Sequence, residues 1–263
     1  MQNTIEVTVG QRRFHVQVTG AGQHILLLHG YPLDHRMWDR CISLLQDQYL
    51  CIAPDLRGFG GNSEERFGFS IADLAADCSQ ILNALQVREP VVVCGLSMGG
   101  YVAMEFVERY REQVAGAILT NTRCNADDAK GVATRLETAS KALRDGAVAA
   151  TSPMMEKLFA SDSHSEQNAA RSLVEPMMAS THPSTLAWSQ MAMALRRSFC
   201  ERMSQWQLPV ACVGGEHDTI CPPQVIENMH RAIPNSRLHI ISRSAHLSPL
   251  EQPKAFAEIV RSL

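Results

Sequence analysis

The sequence predicts a mostly parallel α/β sheet flanked by helices and interrupted once by a helical insertion, and three observations point to it. Ile25–Leu28, Leu50–Ala53, Val91–Cys94 and Ala117–Leu119 are short continuous apolar runs, as expected of strands covered on both faces. Helical patterns at His35–Asp47, Ile71–Leu85 and Met98–Arg109 are interspersed with these runs, and strand, helix, strand order specifies parallel pairing. The alternation stops over 125–205 and then resumes, so one domain is interrupted rather than followed by another.

Ahead of these runs, Ile5, Val7 and Val9, then Phe14, Val16 and Val18, alternate with polar residues, which predicts an opening antiparallel pair with one apolar face. Residues 125–205 are rich in Ala, Met and charge at helical spacing, with breaks expected at Pro153, Pro176 and Pro183. Strands return at Val210–Val213 and Leu238–Ile241, and helices are expected after Pro223 and Pro253. The division is thus 1–124 with 206–263 for the sheet domain and 125–205 for the insertion.

The chain's 263 residues are enough for one substantial apolar core plus the insertion. With 24 Lys and Arg against 27 Asp and Glu, the formal charge of −3 provides no general field toward nucleic acid or an anionic membrane. A small molecule, or one borne on an acyl carrier, suits such a chain better. No stretch approaches the roughly 20 apolar residues that span a bilayer. The first residues lack the pattern of an export signal. Eight Cys are scattered without CxxC spacing, several inside apolar runs, as reduced buried thiols are. These features predict a cytoplasmic protein with no zinc site.

Gly95-Leu96-Ser97-Met98-Gly99 follows an apolar strand and opens a helical pattern, the setting of a nucleophile elbow. Small residues on both flanks allow the tight turn that exposes the serine. A serine hydroxyl attacks only if a base takes its proton, and the base needs a carboxylate to fix its tautomer. Among ten His, His246 follows the last expected strand by a short polar loop. Asp218 lies just past Val210–Val213, on the carboxyl edge where open α/β sheets carry their sites, with Glu216 its nearest competitor. The oxyanion formed on attack needs two backbone N–H donors. Met98 supplies one, and Tyr31, in His29-Gly30-Tyr31-Pro32, is the natural second because Pro32 has none. His29 is expected to tie its loop down.

These segments, with Pro54-Asp55-Leu56-Arg57-Gly58-Phe59-Gly60 and Ala245-His246-Leu247-Ser248-Pro249, resemble the α/β-hydrolase superfamily nearly end to end. The likeness is greatest to the branch of 3-oxoadipate enol-lactonases and small carboxylesterases. The resemblance implies an α/β-hydrolase fold with about eight strands, a helical cap, and a Ser97, His246, Asp218 triad with Tyr31 and Met98 as oxyanion donors. It implies hydrolysis of an ester or lactone, enol-lactones included, through an acyl-enzyme without metal or cofactor. A non-catalytic binding protein on the same scaffold is the other class.

Seven of the 12 Met fall in the insertion, where thioethers either line an adaptable pocket or fill the core between helices. Met154, Met178 and Trp188 are the candidates to face substrate. Arg123 either meets a substrate carboxylate or pairs with Asp127 or Asp128. Arg135, Arg144, Arg196 and Arg197 either dock an acidic acyl-carrier protein or form a solvated face.

Overall fold

The computed structural model of the chain describes residues 3–62, 67–161 and 165–263. Its strands are β1 (Asn3–Val9), β2 (Arg12–Gly20), β3 (Gln23–Leu28), β4 (Tyr49–Pro54), β5 (Val91–Leu96), β6 (Val114–Thr120), β7 (Val210–Gly215) and β8 (Ser236–Ile241). Among the described residues they form one eight-stranded sheet in the order β1, β2, β4, β3, β5, β6, β7, β8. The pair β1 and β2 is antiparallel, β2 meets β4 antiparallel, and every pairing from β4 to β8 is parallel. This is the α/β-hydrolase fold.

Every residue of β5 and β7 is buried, because helices cover both faces and neither side chain of an alternating pair reaches water. Leu26, Leu28, Val91, Val93 and Leu119 point into one core, whereas Ile25, Leu27, Val92, Cys94 and Ile118 point into the other. Strand β8, at the sheet edge, exposes Arg237 and Ile240.

Helices α1 (Asp39–Leu45), α2 (Ile71–Ala84) and α3 (Met98–Arg109) follow β3, β4 and β5. The expected helix over His35–Asp47 is split, with a single 3₁₀ turn at His35–Trp38 leading into α1. Ser70 and Asp73 form a reciprocal capping box on α2, each side chain taking the other's backbone N–H.

Between β6 and β7 lie the cap helices α4 (Ala129–Thr151), α5 (Met155–Leu158), α6 (Ser165–Ser180) and α7 (Pro183–Ala194). Pro183 opens α7 as expected, and Pro153 sits in a 3₁₀ turn before α5. Pro176 does not break α6; it is exposed there, where water is at hand for the backbone bond a proline cannot make. The discontinuity lies instead at Gly146 inside α4, with φ +87°. The chain then runs through β7, α8 (Pro223–Ala232), β8, α9 (Ser248–Glu251) and α10 (Pro253–Arg261).

The reading of the cysteines as reduced thiols is corrected for one pair: Cys124 and Cys200 form a disulfide across 76 positions, with Cα atoms 5.0 Å apart. Their backbones also meet, Phe199 N–H donating to the Cys124 carbonyl at 2.8 Å, so the two stems of the insertion are fastened side by side. The other six cysteines are buried and free. This pairing removes the thiol argument for a reducing compartment. Among the described residues no helix is long and apolar enough to cross a membrane.

Candidate active site

Ser97 stands alone between the end of β5 and the start of α3, at φ +53° and ψ −112°, a region that costs a non-glycine residue strain. Close packing on both sides forces the turn. A Cβ on Gly95 would fall 2.1 Å from the Gly99 carbonyl oxygen, and one on Gly99 would fall 2.2 Å from that of Leu28. The turn is pinned by Ser97 N–H donating to the Thr120 carbonyl at 2.9 Å and by the Thr122 hydroxyl donating to the Ser97 carbonyl at 2.8 Å. Met98, the first residue of α3, brings its N–H and the positive end of the helix dipole to this point.

The loop after β3 lies against Ser97: a Cβ on Gly30 would come within 3.5 Å of the serine Cβ. His29, fully buried, ties this loop down as expected. Its Nδ1–H donates to the Gly30 carbonyl at 3.0 Å, and its Nε2 accepts from Leu56 N–H at 2.9 Å. Burial pushes the His29 imidazole below its ordinary range, so it stays neutral and those two bonds fix its tautomer. Asp55 anchors the next turn, one carboxylate oxygen accepting from His35 Nδ1–H at 2.6 Å and the other from Gly61 N–H at 2.8 Å.

Asp218 and His246 come from the loops after β7 and β8, and His246 Nδ1–H donates to Asp218 Oδ2 at 2.8 Å with both side chains buried. Asp218 Oδ1 accepts from the backbone N–H groups of Ile220 and Cys221 at 2.8 and 2.9 Å. Burial alone would raise this carboxyl. The charge and hydrogen bond of His246, with donors from Asn121 and Cys221, together hold it below the usual carboxylate range. Glu216, the competitor in sequence, accepts instead from Arg243 N–H at 3.0 Å on the surface.

Sequence reasoning missed Asn121. At the end of β6 it adopts φ +46° and is fully buried, its Nδ2 donating to Asp218 Oδ2 at 2.9 Å and to the Ala245 carbonyl at 3.0 Å. Its Oδ1 accepts from the Ser248 hydroxyl at 2.6 Å. Nothing in the local sequence marks an amide that reaches across three loops; only a left-handed Asn past a strand hints at it.

Ser97, His246, Tyr31, Arg123 and Met154 line one cleft of about 610 Å³ beneath the cap. Two candidates lie elsewhere. Met178 is buried in the cap core and borders a small hollow with Thr151 and Met155, and Trp188 borders a second cleft with Gly68 and Phe69. For Trp188 the reason is that α7 buries residues all round, leaving its spacing without a direction to read. The expected pairing of Arg123 with Asp127 or Asp128 is also corrected. Asp127 is taken by Arg135 and by Arg196, the latter at 2.7 Å, and Asp128 caps α4. Arg197 pairs with Glu105 at 2.9 Å and Arg144 with its neighbour Asp145 at 2.9 Å, so each of the four cap arginines faces a carboxylate of this chain.

Asp218, Cys221 and His246 bring possible ligand atoms within 4.8 Å of one another. As a donor set they suit a metal poorly. Burial pushes the Cys221 thiol up to about 11, keeping it protonated, and both Asp218 oxygens already accept from protein N–H groups.

The family model described as alpha/beta hydrolase fold matches residues 23–253. A thermophilic esterase from Thermogutta terrifontis, described as malate bound, superposes with a TM-score of 0.93 at 31% identity, over 100% of this chain and 97% of that one. The enol-lactonase from Burkholderia xenovorans LB400 superposes at 0.89 with 21% identity, over 98% of each chain, which shows shared fold. An uncharacterized Mycobacterium tuberculosis protein is 28% identical over 272 residues, 96% of this chain and 78% of that protein. With a strained serine between two crowded glycines under a helical cap, and a family match over most of its length, the chain belongs to the alpha/beta hydrolase family.

Proposed function

We propose that this protein is a serine hydrolase that cleaves a carboxylic ester or lactone through an acyl-enzyme. The observation that carries the reading is the buried His246 to Asp218 bond at 2.8 Å, made by an imidazole that lines the same cleft as Ser97. Asp218 holds Nδ1 as the donor, which leaves Nε2 as the acceptor for the serine proton. As Oγ of Ser97 attacks the carbonyl carbon, the proton passes to Nε2 and the carbonyl electrons move onto oxygen. The backbone N–H groups of Met98 and Tyr31 receive that oxyanion. Collapse expels the alcohol, which takes the proton from Nε2, and a water activated by the same imidazole then releases the acid. Residues 125–205 serve as the cap that covers the acyl group. The esterase at 31% identity supports ester cleavage, and lactone opening uses the same groups in the same order.

Ser97→Ala is expected to abolish turnover of a short p-nitrophenyl ester and labelling by a fluorophosphonate, with the circular dichroism spectrum unchanged. Turnover at the wild-type rate would overturn the reading.

A further inference from the structure

The catalytic cleft is basic in a protein that is acidic overall. Its walls carry Arg123, Lys130, Arg135 and Lys157 against Asp127 and Asp128, whereas the whole chain has a formal charge of −3. Asp127 is already bound by Arg135 and Arg196, and Asp128 is engaged at the N-terminus of α4. The carboxylates of the cleft are therefore satisfied from within.

Arg123 differs from Arg57, and from Arg135 and Arg196, which both hold Asp127. Arg57 pairs with Asp77 at 2.7 Å and Arg196 with Asp127 at 2.7 Å, but among the described residues Arg123 makes no ion pair. Its guanidinium donates to the Ile220 carbonyl and to the Cys221 sulfur, the latter at 3.6 Å. Neither acceptor neutralises it, since one is an amide oxygen and the other a thiol that burial keeps protonated, its titration pushed up to about 11. Holding a guanidinium half out of water without a counter-charge is costly, and that cost is recovered when a carboxylate arrives.

We propose, on the hydrolase reading above, that the cleft takes esters or lactones bearing a carboxylate and that the Arg123 guanidinium receives it. The two donors spent on Ile220 and Cys221 hold the planar group in place, leaving other N–H donors for the anion. Lys130 and Lys157, exposed on the cap side, raise the local concentration of anions at the mouth.

Calorimetric titration of the full chain with glutarate and with uncharged glutaramide tests this without requiring turnover. Glutarate is expected to bind wild type at least ten-fold more tightly than glutaramide. Arg123→Gln is expected to abolish that preference, and Arg123→Lys to keep most of it. Equal binding of the two compounds by wild type, or an unchanged preference in a folded Arg123→Gln, would overturn the proposal. The wild-type comparison decides for or against an anion site even if the Gln variant does not fold. A second pair, the p-nitrophenyl monoester of glutaric acid against p-nitrophenyl valerate, reports on the reaction. If glutarate binds through Arg123 but neither ester turns over, the hydrolase reading fails and the anion site stands.

Discussion

Asn121 fixes two of the three proposed catalytic elements with a single amide. Its Nδ2 touches the Asp218 carboxylate and the backbone one residue before His246, while Oδ1 takes the Ser248 hydroxyl two residues after it. Asn121→Ala removes one donor that keeps Asp218 ionised and one that holds the histidine loop, leaving the Ser248 hydroxyl to find a new acceptor. With a hydrogen bond to a charged group contributing about 1.5 kcal/mol, kcat/KM for a p-nitrophenyl ester is expected to fall roughly ten-fold. Steady-state kinetics check this, with fluorophosphonate labelling confirming that Ser97 is still presented. Ser97, Asp218 and His246 could be picked out from position along the chain, because each follows an apolar strand at the sheet's carboxyl edge. Asn121 follows β6 in the same way, but a neutral amide there carries no chemical signature until its partners, 97 and 127 residues away, are known.

At the scale of elements, the cap is held by a junction at Asp127. This carboxylate grips Arg135 from α4 and Arg196 from just beyond α7, and the Arg196 guanidinium also lies over the Tyr101 ring, 4.1 Å from its centroid. The Arg196 side chain is 1% exposed, so Asp127→Ala would strand a buried charge. The expected cost is about 3 kcal/mol, read as a lower midpoint in urea denaturation. The strands of the sheet were legible because continuous apolar runs and period-2 alternation have few other causes. The cap was legible as helices but not in its facing. In α7, Thr185, Leu186, Ala187, Ser189, Gln190 and Met193 are all buried, so no stripe tells which side faces the Ser97 cleft, and Trp188 borders the cleft of Gly68 and Phe69 instead. The break in α4 was hidden for a related reason: Gly146 at φ +87° looks in sequence like any tolerated helical glycine.

Across the whole molecule, buried aspartates set the response to acid. Burial would raise Asp55, Asp127 and Asp218, but hydrogen bonds and charge from His35, from Arg196 and Arg135, and from His246 hold all three below their ordinary range. Their stabilisation is complete above the ordinary aspartate range, near pH 4, and is lost as pH falls through their lower folded values. Asp77 and Glu251, raised chiefly by burial, act in the opposite sense and weaken the fold as pH rises through their range. Urea midpoints are expected to fall as pH drops below about 4, and Asp55→Asn is expected to flatten that slope. The Cys124 to Cys200 bond closes a loop of 76 positions, which by chain entropy stabilises by about 4 kcal/mol, so dithiothreitol is expected to lower the urea midpoint. No spacing rule announces a bridge over such a distance. A last consequence follows from the seam between cap and histidine loop. Leu247 N–H donates to the Leu158 carbonyl at 3.1 Å, and buried Glu251 accepts from Ala160 N–H at 2.9 Å and Ala245 N–H at 2.7 Å. The roof and the loop that carries His246 are therefore stitched by the same thread. On the proposed mechanism, a displacement of α5 would be felt at the imidazole, and a molecule with its roof raised would lose its reactivity as well.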